Sequence, residues 1–208
     1  MEEFITIEEN VQTEITEKKS KFIANLFYVE NVEEAEELIK KTKKKYFDAK
    51  HNCIAYRVIE KGQIIEKSSD DGEPSGTAGA PLLALLKSLK LTNVIIIVTR
   101  YFGGILLGTG GLVRAYTEVA QKAINNARIV QKEYGIKYEI QINYSNLKEI
   151  QYICKTLKIN IVDIEYKENI NLVLESSIKA RKELEKENMK ILSIKDIESK
   201  LIEISKIW

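Results

Sequence analysis

The chain has 208 residues, 44% of them hydrophobic and 30% charged, with a formal net charge of +1. That is length enough for two modest domains, in a composition ordinary for a soluble globular protein. So small a net charge argues against a general polyanion coat, and apolar runs such as Val94 to Val98 are far too short to cross a bilayer.

The first elements read as strands, Thr13 to Lys18 and Lys21 to Val29, with a turn at Lys19-Ser20. Asn31 is placed to cap a helix whose first turn carries Glu33 and Glu34 and whose last carries the lysines of 40–45. That lysine run is therefore expected to be a solvated helix end rather than a nucleic-acid patch. In the next strand His51, Cys53, Ala55 and Arg57 share one face and Asn52, Ile54, Tyr56 and Val58 the other. Lys61-Gly62 turns into a partner strand, Gln63 to Ser68. Pro81 suits the first turn of a helix from Leu82 to Lys90, and Thr92 to Thr99 is a buried β-branched strand. A Thr109-Gly110-Gly111 turn enters a helix from Leu112 to Ala127.

Beyond about residue 133 the pattern resets. The order is strand (136–144), helix (146–157), strand (159–167), strand (169–176), helix (177–188) and strand (190 onward), a ferredoxin-like βαββαβ series. Two domains are predicted, 1–133 and 134–208, in an α+β protein.

Glycine is spent unevenly. Of the 10 glycines only Gly62 and Gly135 lie outside residues 70–116. Residues 76–128 also hold six basic side chains against Glu118 alone, which favours an anionic ligand there. Gly108-Thr109-Gly110-Gly111 before a helix offers unpaired N–H groups to an anion, with Arg100 and Arg114 as counter-charges. The same glycines would also serve a plain strand-to-helix connection. No Walker or Rossmann motif matches, since Gly111 is followed by Leu112-Val113. Nucleotide hydrolysis is accordingly not expected.

Asp70, Asp71 and Glu73 suit a divalent ion or acid–base work, a turn before Gly72, or a clamp on Arg100 or Arg114. His51 and Cys53, two apart on a strand, would suit metal ligation or a Cys–His nucleophile pair. A tetrahedral metal needs about two more ligands, so a buried hydrogen-bonded histidine is expected, with no metal and no cofactor. Cys53 and Cys154 form no CxxC pair, and no charged-then-apolar leader is read, so a reducing cytoplasmic setting without membrane contact is expected. Cys154 should be core. Arg100-Tyr101-Phe102 and Arg114-Ala115-Tyr116 put aromatics beside cations, as base stacking would use, although Phe102 would equally serve in a core.

Four separated blocks resemble the IMPACT family, whose bacterial members are YigZ-type proteins. They are Ser20-Lys21-Phe22-Ile23-Ala24, His51 to Arg57, Asp70 to Gly79, and Thr99-Arg100-Tyr101-Phe102-Gly103-Gly104 through Arg114-Ala115-Tyr116. The resemblance covers roughly residues 15–128. It implies a first domain similar to the second domain of ribosomal small-subunit protein five. It also implies a second domain similar to the last, ferredoxin-like domain of elongation factor G. Eukaryotic members are linked to translational control through an amino-acid-starvation kinase pathway and carry an additional N-terminal RWD domain, for which no room is expected here.

The expected function is a non-enzymatic, cytoplasmic protein that binds RNA or a ribosome-associated partner and modulates translation. Arg100, Tyr101, Arg114 and Tyr116 would contact the anion, with Thr109 at the turn. Gly103, Gly104, Gly108, Gly110 and Gly111 would admit its close approach. The alternative is a sensor of, or enzyme on, a phosphorylated or carboxylated metabolite.

Overall fold

A computed structural model of the chain describes residues 3–186 and 190–206, with the backbone alone at 134 and 199–206. Two compact units divide it, Glu3–Gln131 and Lys132–Ile204.

The first unit runs β1 (Glu3–Ile7), β2 (Val11–Glu17), β3 (Ser20–Tyr28), α1 (Val32–Lys45), β4 (His51–Glu60) and β5 (Gln63–Ser69). It continues through α2 (Gly79–Ser88), β6 (Val94–Tyr101) and α3 (Gly108–Asn126) to the start of β7 (Ile129–Ile142). Five strands make an antiparallel sheet in the order β2-β3-β6-β4-β5. The central strand β6 can be wholly apolar from Val94 to Val98 because helices cover both faces. On one face Phe22, Ala24, Cys53, Ile96 and Val98 meet Leu82 and Leu86 of α2 and Tyr116 and Val119 of α3. On the other, Ile54, Tyr56, Ile95 and Ile97 meet Ala35, Leu38 and Ile39 of α1. Asn31 caps α1, accepting from Glu34 N at 2.8 Å, while the Glu34 carboxylate takes the Glu30 N–H at 2.8 Å.

Several boundaries differ from expectation. The β2–β3 turn falls on Lys18 and Lys19, whose φ values of 44° and 65° are those a two-residue primed turn requires. Helix α2 opens at Gly79 rather than Leu82, and α3 at Gly108 rather than Leu112. In both cases low-propensity residues form a first turn that periodicity does not reveal. Strand β1 was not expected. It is held by distant partners, with Thr92 N donating to Ile5 O at 2.8 Å and Glu8 N to Arg128 O at 2.9 Å.

The second unit continues through α4 (Leu147–Thr156), β8 (Asn160–Tyr166), β9 (Ile170–Ser177), α5 (Ile178–Lys186) and β10 (Ile191–Lys206). Its strands lie in the order β10-β7-β9-β8, the arrangement of a split βαβ plan. Alternation on β9 buries Ile170, Leu172 and Leu174, against which Ile150 and Cys154 of α4 and Leu184 of α5 pack. Of the helix predicted to reach Asn188, residues 187 and 188 lie outside the described residues. The protein is a mixed α+β chain.

Candidate functional site

Period-two alternation decides which side chains meet at one end of the first sheet. Phe22 and His51 are both register partners of Arg100, two residues on from Ala24, Cys53 and Val98. All six therefore lie on the face that α2 and α3 cover. At that same end β5 passes into the loop of residues 70–78, and β6 passes toward the start of α3.

Arg100 is 5% exposed. Its Nη1 donates to Glu73 Oε1 at 2.7 Å, its Nη2 reaches Ser20 Oγ at 3.4 Å, and its Nε has no partner. The guanidinium lies 5.4 Å from the Phe22 ring centre and 5.5 Å from that of Phe102, cation–π contacts that desolvation strengthens. Tyr116 OH donates to the same Glu73 Oε1 at 2.8 Å. Burial, with Cys53 and Glu73 beside it, raises the pKa of Tyr116, so the phenol stays a donor.

Cys53 Sγ lies 2.9 Å from the Asp70 carbonyl and 3.3 Å from Tyr116 OH. Burial, reinforced by the neighbouring carboxylates, pushes its thiol up to about 12. A Cys–His nucleophile pair needs a thiolate, and this thiol is held protonated. His51 Nδ1 lies 2.9 Å from the Asp71 carbonyl, which can only accept, so Nδ1 carries the proton. Its Nε2 lies 3.9 Å from Glu73 Oε1.

The three acids of the loop have separate tasks. Asp70 accepts from Gly76 N at 2.8 Å, Ala78 N at 2.9 Å and Gly79 N at 2.8 Å, and so caps α2 from nine residues upstream. Burial raises its pKa, but those three backbone donors outweigh it and hold the carboxyl below its ordinary value. Asp71 takes the Asn52 N–H at 2.7 Å and pairs with Lys43 at 2.6 Å. Glu73 alone turns inward to Arg100. An arginine clamp describes Glu73 and Arg100 alone, not Asp70 or Asp71. Among the described residues no group of three or more His, Cys, Asp or Glu side chains is placed to hold a metal ion.

His51, Glu73 and Arg100 wall a cleft of about 400 Å³ together with Lys50, Phe102, Leu106, Gly108, Thr109 and Leu112. Helix α3 starts in this wall, and its N-cap position, Leu107, provides no side-chain hydrogen bond. Its first N–H groups thus offer positive potential to the cleft.

Other candidates lie apart. Arg114 is exposed on α3, lining a different cavity with Glu17, Lys18, Gly110 and Gly111. Tyr101 points from the opposite sheet face, donating to Asp48 Oδ1 at 2.7 Å, and that carboxylate raises its pKa to about 12. Tyr116 is wholly buried and offers no surface for a base. Gly103 supports the fold, because a Cβ there would stand 2.0 Å from the Lys19 carbonyl carbon. Gly104, at φ +84°, has open space around it. The local basic surplus is also reduced, since Lys87, Arg100 and Arg128 pair with Glu66, Glu73 and Glu8. Sequence reasoning missed Lys50 and Leu106. The adjacency of Lys50 to His51 was the only signal for the first.

Two mixed α/β units, the first with a cleft at the end of its sheet lined by apolar side chains and a few charged ones, define the class of protein. Residues 18–124 match the family model described as the Impact N-terminal domain. The chain is similar to IMPACT family member YvyE of Bacillus subtilis (strain 168), 40% identical over 80% of this chain and 76% of that one. It is similar to IMPACT family member YigZ of Escherichia coli (strain K12), 35% identical over 72% of this chain and 74% of that one. A crystal structure described as that of a hypothetical protein is 29% identical, covers 95% of this chain and 98% of its own, and has a TM-score of 0.62. The chain belongs to the IMPACT family. Among the described residues no helix is long and apolar enough to cross a membrane.

Proposed function

We propose that this protein is a non-enzymatic cytoplasmic regulator of translation that binds RNA or a ribosome-associated partner through the cleft of its first unit. Family membership supports the translational setting. The finer fold likenesses belong to the same proposal: ribosomal small-subunit protein five for the first unit, and the last domain of elongation factor G for the second.

One observation carries the binding mode. The uncapped start of α3 and the exposed Lys50 line the cleft beside Phe102, 49% exposed, and Leu106, 83% exposed. An anion-binding helix end next to an exposed aromatic ring suits a nucleic-acid backbone with a stacked base. Binding to single-stranded RNA and to ribosomes, titrated against salt, tests it. Affinity should fall as salt rises, and Lys50→Gln with Phe102→Ala should weaken it about tenfold or more. No retention of the parent on either partner at low salt would overturn the reading.

A second reading, a sensor of or enzyme on a phosphorylated or carboxylated metabolite, is favoured by the cleft's volume. About 400 Å³ falls in the range of roughly 300–1,000 Å³ usual for small-molecule sites. A thermal-shift screen with phosphate esters and carboxylates separates the two, since a ligand of the folded state raises its melting temperature. No shift with any of them, beside clear RNA retention, removes this second reading.

A further inference from the structure

Glu73 is 8% exposed and lines the cleft, yet its hydrogen bonds are lopsided. Arg100 and Tyr116 both donate to Oε1, and among the described residues no donor reaches Oε2. That oxygen is open to the cleft, where a ligand can supply the donor. His51 repeats the pattern, with Nδ1 committed to the Asp71 carbonyl and Nε2, an acceptor in the neutral ring, in the same wall. The wall of one cleft therefore presents acceptors from Glu73 and His51 together with Lys50 and the start of α3.

We propose that the cleft is a ribose-phosphate site. The phosphate sits at the N–H groups of Gly108 and Thr109 beside Lys50. The cis 2′,3′-hydroxyls of the ribose donate to Glu73 Oε2 and His51 Nε2. A carboxylate reading a ribose hydroxyl and a helix N-terminus holding its phosphate are the two halves of nucleotide recognition elsewhere. Phe102 offers its ring to the base. An internal RNA residue has its 3′-oxygen esterified, so the matching sources are a free ribonucleotide and the 3′ end of an RNA chain. This rests on the cleft reading given above and names its ligand.

Titration calorimetry with adenosine 5′-monophosphate, its 2′-deoxy counterpart and inorganic phosphate tests the site on the full chain. The ribonucleotide should bind about tenfold more tightly than the deoxy form, the loss expected for one hydrogen bond to a charged acceptor. Thr109→Glu places a negative charge at a helix start that tolerates it, so melting temperature should hold while binding falls tenfold or more. Lys50→Gln should weaken binding in the same direction.

A short RNA ending in a free diol, compared with the same RNA bearing a 3′-phosphate, separates the sources. Loss of binding on blocking the end, with competition by the mononucleotide, assigns the RNA terminus. Mononucleotide binding without RNA binding assigns the free nucleotide, sustains this inference and removes the RNA reading. Equal ribo and deoxy affinities, no nucleotide binding, or an unaffected Thr109→Glu variant each overturn the ribose-phosphate site. RNA binding indifferent to its 3′ end does so too, and leaves the translational proposal standing.

Discussion

Arg100 and Glu73, 27 residues apart in sequence, form an ion pair of 2.7 Å whose side chains are only 6% and 3% exposed. Removing either partner strands a largely buried charge. Glu73→Ala and Arg100→Ala should each cost about 3–5 kcal/mol, and the double variant should cost clearly less than the sum. Urea unfolding of the four proteins measures this, and strictly additive losses would show that the two groups are not coupled.

The Asp70 loop should make stability sensitive to acid. The folded-state pKa of Asp70 lies below its ordinary value, so its contribution is present above the unfolded pKa of about 4 and is lost as pH falls through the lower folded value. Asp70→Asn should remove that part of the acid sensitivity. At neutral pH it should also cost about 1–3 kcal/mol, because the amide cannot accept all three backbone N–H groups. Melting curves from pH 7 to pH 2 read both effects.

Both thiols should be inert in the folded protein. Burial raises Cys53 to about 12 and Cys154 to about 11. A thiol-reactive dye at pH 8 should label neither residue natively and both in denaturant. Rapid native labelling of Cys53 would contradict the closed Cys53–Tyr116–Glu73 arrangement.

Two glycines of one segment should answer oppositely to alanine. At Gly103 the added Cβ meets the Lys19–Ser20 backbone at 2.0–2.4 Å, so Gly103→Ala should destabilise severely. At Gly110, in the first turn of α3, nothing lies within 4 Å, and Gly110→Ala should stabilise by up to about 1 kcal/mol. Thermal melts of the pair distinguish a glycine required by close approach from one that is not.

Much of the local structure was readable because it is locally caused. Asn31 and Glu34 announce the start of α1, and alternation placed His51 and Cys53 on one strand face. The grouping of Arg100 with Tyr101, and of Arg114 with Tyr116, failed on the same grounds. Neighbours on a strand point to opposite faces, and residues two apart on a helix differ by about 200°. Arg100 is thereby buried while Tyr101 turns to Asp48, and Tyr116 enters the core while Arg114 stays outside. The basic surplus of residues 76–128 misled differently, because composition cannot register that Glu8, Glu66 and Glu73 return to neutralise it.

What the sequence by itself determined was the order of elements from β2 onward, the capped start of α1 and the loops where glycine concentrates. Each follows from residues within a turn or two of one another. Only the tertiary structure decided that Glu73 would close on Arg100 and, 43 residues away, on Tyr116. It also decided that Oε2 of that carboxylate would be left for the cleft. Periodicity assigns a side chain to a face, but its partner is chosen by which other faces the packed sheet and helices bring against it.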